Sequence, residues 1–105
     1  DKDLASALLA SEIGADLLLM ATDVDGVFAD FNTPEQRLLS RMEIGDAEDF
    51  LRGDKTGKGS MGPKVEAALK FVQSGAKRAV ITSIAAICDG VKGTAGTQIV
   101  RIDKQ

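Results

Sequence analysis

The chain begins with two apolar segments of different character. Residues 3–12 predict a helix that starts at a capping-type Asp3 and ends before Gly14, because their apolar side chains fall near one helical face: Ala5, Leu8, Leu9 and Ile13. Leu17–Thr22 is a short continuous apolar run, which is typical of a strand covered on both faces of a parallel sheet.

Apolar positions in the rest of the chain predict further elements. A hairpin or loop excursion is predicted where Val27–Phe28 and Leu38–Leu39 flank Pro34. Short helices are predicted at Ala47–Leu51 and Ile84–Asp89, and a longer helix from Pro63 to Gly75. Strands are predicted at Ala79–Thr82 and Thr97–Ile102. The helix from Pro63 has the strongest pattern, because proline suits a first helical turn and apolar residues recur at helical spacing: Val65, Ala68, Leu69 and Val72.

The order of these elements predicts the fold class. Helices alternate with strands, which favours right-handed crossovers and an α/β fold with a mainly parallel sheet and helices on its faces. A chain of 105 residues is long enough for one compact domain and too short for two. Residues 1–105 are therefore predicted to form a single domain.

Composition and charge exclude several classes of function. Lys and Arg total 13 against 16 Asp and Glu, so the formal net charge of -3 argues against nucleic acid or an anionic membrane as a partner. With no His, a zinc site or a Cys-His nucleophile pair is excluded. The only cysteine, Cys88, is expected to be a small buried apolar residue. No apolar run is long enough to span a membrane, so a cytoplasmic protein is expected.

The segment RGDKTGKGSMGP, residues 52–63, is predicted to be a loop because it contains four glycines. Its GKGSMG matches G-x-G-x-x-G, but no strand precedes it and no acidic residue follows at the ribose-binding distance, so the dinucleotide fingerprint is rejected. A Walker A loop also fails, because Gly53 lies one residue too close to Gly57-Lys58 and Gly59 occupies the hydroxyl position.

Two interpretations of this loop remain open. It contains Lys55 and Lys58 and leads into a helix with Lys64 in its first turn, which suits the binding of phosphate groups. It also suits a surface loop with solvated lysines. Asp3 likewise suits either an N-cap or a carboxylate that holds lysines around a phosphoryl group.

Other polar residues follow the first predicted strand. Thr22 and Asp23 stand at its carboxyl end, where open α/β sheets bind ligands. For Asp25 and Asp30 a role in turns is favoured.

Several stretches of the sequence resemble carbamate kinases of the amino-acid kinase superfamily. They are DKDLASALLASEIGADLLLMATDVDGVF, PEQRLL, GSMGPKVEAALKFVQSGAKRAVITS and GTAGTQI, which together span nearly the whole chain. GADLLLMATDVDGV is similar across the superfamily, whereas DKD and GSMGPKVEAA point more narrowly to carbamate kinases. The resemblance implies a three-layer αβα fold and phosphoryl transfer between ATP and carbamate, often from carbamoyl phosphate to ADP, with Mg²⁺ held mainly by the nucleotide and a role in arginine metabolism.

The resemblance also implies roles for individual residues. Lys2 would approach the transferring phosphoryl group, Asp3 would organise the surrounding lysines, and Lys64 would stabilise the nucleotide phosphates. The remaining matched positions would contact or border the nucleotide: Thr22, Asp23, Lys58, Gly59, Ser60, Met61 and Gly62.

What the chain lacks limits this interpretation. Family members have an N-terminal half with a glycine-rich phosphate loop and the carbamate-binding residues, and nothing in this sequence corresponds to either. The chain is therefore expected to supply the nucleotide side of an active site, with carbamate or carbamoyl phosphate bound only with the missing half, and to self-associate through an uncovered sheet edge. A catalytically silent nucleotide-binding module, or a superfamily kinase with a different acceptor, remains an alternative.

Overall fold

A computed structural model describes residues 8–30, 33–53 and 61–101. Residues 8–12 are helical and form the described part of helix α1. The elements that follow are β1 (Leu17–Thr22), β2 (Phe28–Ala29), β3 (Arg37–Leu38), β4 (Arg41–Glu43), α2 (Ile44–Arg52), α3 (Met61–Gln73), β5 (Arg78–Ser83), a 3-10 turn (Ile84–Ala86), α4 (Ile87–Lys92) and β6 (Thr97–Val100).

Four strands form one mixed sheet in the order β1-β5-β6-β4. β1 pairs with β5 and β4 pairs with β6 in parallel, whereas β5 and β6 are antiparallel. The connection before β6 contains only a 3-10 turn and α4, which has six residues and spans about 9 Å, whereas β5 spans about 20 Å. β6 starts beside Ile81, near the edge where β5 ends.

Helices cover both faces of the sheet, as the alternation of buried side chains along β5 shows. Ala79 and Ile81 belong to the buried cluster that includes Val65 and Phe71 of α3. Val80 and Thr82 instead lie against Gly90 of α4, where an added Cβ would be 3.2 Å from Val80 and 3.1 Å from Thr82. α2 packs against α3 on the first face, and α4 covers the second, so the chain has a three-layer αβα architecture and the predicted fold class is confirmed.

Most predicted elements are present with small differences in extent. β1 has the predicted bounds, and β2 and β3 form the predicted hairpin through the pair Phe28 and Leu38. α2 begins before the predicted Ala47, because the side chains of Glu43 and Asp46 form a capping box at its start. α3 begins at Met61, two residues before Pro63, so the predicted loop ends earlier than expected.

The apolar face predicted for the first helix is uncovered in the described part of the chain, where Leu8, Leu9 and Ile13 are 64%, 62% and 71% exposed. One prediction about burial is wrong. Cys88 is exposed rather than buried, because the inner face of the short helix α4 is occupied by Gly90. No helix in the described ranges combines the length and apolar character needed to cross a membrane.

Arginine side chains bind the carboxyl ends of two helices. Nη2 of Arg101 donates to the carbonyl oxygens of Val72 and Gln73, both at 3.2 Å, at the end of α3. Arg78 donates to the carbonyl oxygen of Val91 at 2.9 Å, at the end of α4. The last carbonyl groups of a helix have no partner within the helix and carry partial negative charge, so both contacts stabilise the layers against the sheet.

We predict that Arg101→Ala lowers the free energy of unfolding by about 2 kcal/mol, since hydrogen bonds from charged groups each contribute roughly 1.5–3 kcal/mol. Arg52→Ala is the matched control. Its ion pair with Asp49 has side chains that are 70% and 72% exposed, and such pairs contribute about 0–1 kcal/mol. Urea unfolding followed by circular dichroism measures both variants. Equal stabilities of the two variants would contradict the capping role of Arg101.

Candidate functional site

The carboxyl ends of β1 and β5 lie together at one side of the sheet, which we call the carboxyl edge. Thr22 and Ser83 form the last residue pair of the two parallel strands. In open α/β sheets, ligands bind in the crevice outside the carboxyl ends of the strands. The carboxyl edge is therefore the candidate functional site.

Helix α3 begins at this same edge. It packs against β5, and only residues 74–77 connect the two, so helix and strand run in opposite directions. The 13 residues of α3 span about 20 Å, which is also about the length of β5. The first turn of α3 is consequently level with Ser83, while Arg101 binds the other end of the helix at the opposite edge.

Thr22 faces the layer that contains α3. Leu18 and Met20 of β1 lie in the same buried cluster as Val65 of α3, and side chains two residues apart on a strand share a face. Thr22, two residues after Met20, is half-buried and donates a hydrogen bond from its hydroxyl to Oδ1 of the exposed Asp23 at 3.3 Å. A hydroxyl and a carboxylate thus lie on the side of the sheet from which α3 approaches.

The first turn of α3 favours an anion. Its residues Met61, Gly62 and Lys64 are half-buried, and no acidic residue is present in this turn. The first backbone N–H groups of a helix have no partner within the helix and carry partial positive charge. Lys64, in this same turn, adds a positive charge, and such a helix terminus is suited to a phosphate group.

The loop after β1 crosses the carboxyl edge towards β6. We call residues 23–26 the strand-end loop. Directly after it, the backbone N–H of Val27 donates to Oγ1 of Thr97 at 2.8 Å, and both residues are fully buried. A Cβ added to Gly26 would lie only 2.7 Å from this Oγ1, so glycine permits the close approach of the loop to the start of β6.

The structure brings some of the predicted site residues to one place. Thr22, Asp23 and the first turn of α3, with Met61, Gly62 and Lys64, lie at the carboxyl edge. The other predicted site residues lie outside the described ranges: Lys2, Asp3, Lys58, Gly59 and Ser60. Their predicted roles remain predictions.

The two aspartates assigned to turns lie outside regular elements. Asp25 is exposed in the strand-end loop. Asp30 has a positive φ of 54°, and its carbonyl oxygen accepts hydrogen bonds from the N–H and hydroxyl of Thr33 at 3.1 and 2.6 Å. Short polar side chains tolerate this backbone conformation, so a turn explains Asp30.

Thr97 is a residue of the site region that sequence reasoning missed. The predicted strand began at Thr97, but nothing in the local pattern indicated that its hydroxyl binds a backbone group 70 positions earlier in the chain. The available signal was a threonine that directly follows a glycine at the start of a buried strand. The large majority of buried polar side chains in proteins have a hydrogen-bond partner.

No group of three or more Cys, Asp and Glu side chains in the described part of the chain is arranged to hold a metal ion. The acidic residue nearest to the end of β1, Asp23, has Thr22 as its hydrogen-bond partner. The described residues of the carboxyl edge thus supply a helix terminus, an ammonium group and single carboxylates.

Comparisons with known proteins agree with this fold. The model of the amino acid kinase family matches residues 1–83. The chain belongs to this family. Its relatives include the carbamate kinase of Thermoplasma acidophilum, which is 45% identical over 101 residues, a match that covers 96% of this chain and 33% of the relative. The chain thus spans about a third of the length of the curated relatives it matches.

Solved structures of other proteins have the same architecture. Carbamate kinase from Giardia lamblia bound to AMP-PNP matches 97% of this chain and 36% of that structure, with a TM-score of 0.90 and 35% identity. Uridylate kinase from Archaeoglobus fulgidus matches 93% of this chain and 46% of that structure, with a TM-score of 0.66 and 26% identity. The similarity in sequence and in structure is greater to the carbamate kinase than to the uridylate kinase.

Proposed function

We propose that this chain is the nucleotide-binding portion of a cytoplasmic carbamate kinase, in which carbamoyl phosphate and ADP are converted to carbamate and ATP. In this reaction the phosphoryl group leaves the carbamoyl oxygen and is bonded to the terminal phosphate of ADP. The chain is proposed to form a single domain that binds ADP or ATP, and the carbamoyl group binds only together with the portion of the relatives that the chain does not match.

The observation that carries this proposal is the position of Lys64. It lies half-buried in the first turn of α3, at the edge of the sheet where Thr22 ends β1 and faces the same layer. A helix terminus and an ammonium group bind phosphate oxygens, and the polar end of a strand is suited to the nucleoside. The Giardia carbamate kinase, which holds AMP-PNP, supports a nucleotide as the ligand.

The proposed chemistry requires alignment and positive charge and no covalent nucleophile. Charge on the transferring phosphoryl group is spread over its equatorial oxygens, and Lys64 donates hydrogen bonds to such oxygens while the first N–H groups of α3 add partial positive charge. Loss of one preorganised donor of this kind lowers a rate by roughly 10²–10³-fold in other enzymes. Thr22 and Asp23 are proposed to contact the nucleoside.

Further groups complete the proposed site. Lys2 is proposed to approach the transferring phosphoryl group, with Asp3 between the lysines to offset their mutual repulsion. Lys58, Gly59 and Ser60 are proposed to border the nucleotide. Mg²⁺ is proposed to bind mainly to the phosphate oxygens of the nucleotide, because such oxygens and water are its usual ligands.

The relatives support carbamate as the acceptor. The chain is 45% identical to a carbamate kinase, whereas its identity to the uridylate kinase of the same fold is 26%. A catalytically silent module would share the nucleotide site but not the reaction, so binding and turnover have to be measured separately.

We predict that isothermal titration detects binding of ADP with Mg²⁺ to the 105-residue chain and that Lys64→Ala weakens it by about tenfold or more. A hydrogen bond from a charged group contributes roughly 1.5–3 kcal/mol, and 1.4 kcal/mol is a tenfold change in affinity. Lys70→Ala is the matched control, because Lys70 is an exposed lysine in the last turn of the same helix. Absence of heat with the wild-type chain, or equal affinities of the Lys64→Ala and Lys70→Ala variants, would refute nucleotide binding through Lys64.

We also predict that the chain forms ATP from carbamoyl phosphate and ADP when it is mixed with the part of the Thermoplasma acidophilum carbamate kinase that it does not match. The added part supplies the acceptor side of the site, and coupled detection of ATP measures the reaction. Lys64→Ala should lower the rate by roughly 10²-fold. If ADP binds but no mixture forms ATP, the chain is a nucleotide-binding module or belongs to a kinase with another acceptor.

The uncovered surface of the chain supports self-association as a further proposal. β1 is the terminal strand of the sheet, so one side of it has no paired strand among the described residues. Its sequence, LLLMAT, has no charge and no proline, the features that usually protect an edge strand. The exposed Leu8, Leu9 and Ile13 precede it directly in sequence and add apolar area.

We predict that the sedimentation coefficient of the 105-residue chain increases with concentration, as two copies pair through β1. Ala21→Lys places a charge at an exposed position of this strand and should restore the monomer. Val91→Lys changes an exposed apolar residue on α4 and should have no effect. A monomer at all concentrations, or equal effects of the two substitutions, would exclude pairing through β1.

A further inference from the structure

We propose that Thr97 is a positioning residue for the proposed nucleotide site, because its hydroxyl holds the strand-end loop in place across the carboxyl edge. This inference rests on the proposed function. Thr97 itself has no exposed surface and is not expected to touch the nucleotide. It acts through the backbone of Val27, the residue that follows the loop.

The hydrogen bond between Val27 and Thr97 is well placed to fix the loop. The N–H of Val27 donates to Oγ1 of Thr97 at 2.8 Å inside the core, and the carbonyl oxygen of Val27 accepts from the N–H of Leu39 at 2.8 Å. Both backbone groups of Val27 are therefore satisfied. A buried N–H that loses its acceptor is strongly unfavourable, so without the hydroxyl the chain at Val27 would have to move.

The strand-end loop is held at both of its ends. Thr22 precedes it and is fixed by parallel pairing with Ser83, and Val27 follows it and is fixed by Thr97. Since the start of β6 lies beyond β5 in the strand order, the four residues of the loop, Asp23 to Gly26, cross the carboxyl edge. With its ends fixed, the loop presents Asp23 in one position, which reduces the ordering required when a nucleotide binds.

Close packing supports the same anchor. A Cβ on Gly26 would lie 2.7 Å from Oγ1 and 3.1 Å from the backbone nitrogen of Thr97. The main chain of the loop thus lies directly against the first residue of β6, and a displacement of Thr97 is transmitted to the loop.

Thr82 provides an internal comparison for Thr97. Both threonines are fully buried, and they lie on neighbouring strands, since Thr97 pairs with Ile81. Unlike Thr97, Thr82 has a hydroxyl that makes no hydrogen bond in the described part of the chain. Thr82→Val and Thr97→Val therefore remove the same group from equally buried positions, and only the second removes an acceptor of the loop.

The test measures the affinity for ADP with Mg²⁺ by calorimetry and the exchange of the Val27 amide hydrogen by NMR, in the 105-residue chain. We expect Thr97→Val to weaken ADP binding about tenfold and to increase exchange at Val27, in line with the loss of one buried hydrogen bond. Thr97→Ser keeps the hydroxyl and should bind within about twofold of the wild type, as should Thr82→Val. Val72→Ala lowers stability through the core and should leave the affinity of the folded chain unchanged.

Wild-type affinity in Thr97→Val, or an equal loss of affinity in Val72→Ala, would overturn the positioning role. If Thr97→Val does not fold, the test is the exchange rate of the Val27 amide hydrogen in the wild-type chain. ADP should slow this exchange about tenfold, because the anchored loop opens less often when the nucleotide is bound. An unchanged exchange rate would overturn the inference. An absence of ADP binding to the wild type would instead overturn the proposed function and, with it, the role of Thr97.

Discussion

The parallel pairing of β1 with β5 determines where the other parts of this chain can lie. Six residue pairs in register bring the ends of both strands to the same edge at Thr22 and Ser83. A helix of matching length runs back along β5, so the first turn of α3 arrives at that edge. Displacement of this register by one residue would turn Leu18 and Met20 away from α3 and would remove Thr22 from the side of Lys64.

The elements that sequence predicted best are those whose signal is local. The apolar run Leu17–Thr22 is a strand with the predicted bounds, and the helical spacing after Pro63 is a helix. The antiparallel pairing of β6 with β5 is the exception in the mainly parallel sheet that the alternation of helices and strands predicted, because alternation does not identify which connections are crossovers. The short helix α4 accompanies this exception, since its six residues span only about half the length of β5.

Features that depend on distant contacts could not be read from the pattern. The apolar face of α1 was predicted from its spacing, but its exposure depends on whether another element covers it. Cys88 is exposed because glycine, and not cysteine, occupies the inner face of α4. For the candidate site, composition left two interpretations open for the loop at residues 52–63, and the family resemblance supplied the predicted roles of Lys2, Asp3 and Lys64. At Thr97 the local signal was a threonine after a glycine at the start of a buried strand, and it did not identify Val27 as the partner of the hydroxyl.

The reversed direction of β6 has a consequence for how this protein can vary. A parallel strand would bring its last residues to the rim formed by the carboxyl edge, but β6 brings its first residue, Thr97, there, with Gly96 directly before it. The rim is thus assembled from an early and a late stretch of the polypeptide, joined at Val27 and Thr97. In the proposed function, substitutions near Thr97 alter the part of the rim next to the strand-end loop and leave the first turn of α3 intact, so the proposed nucleoside and phosphate contacts can vary separately.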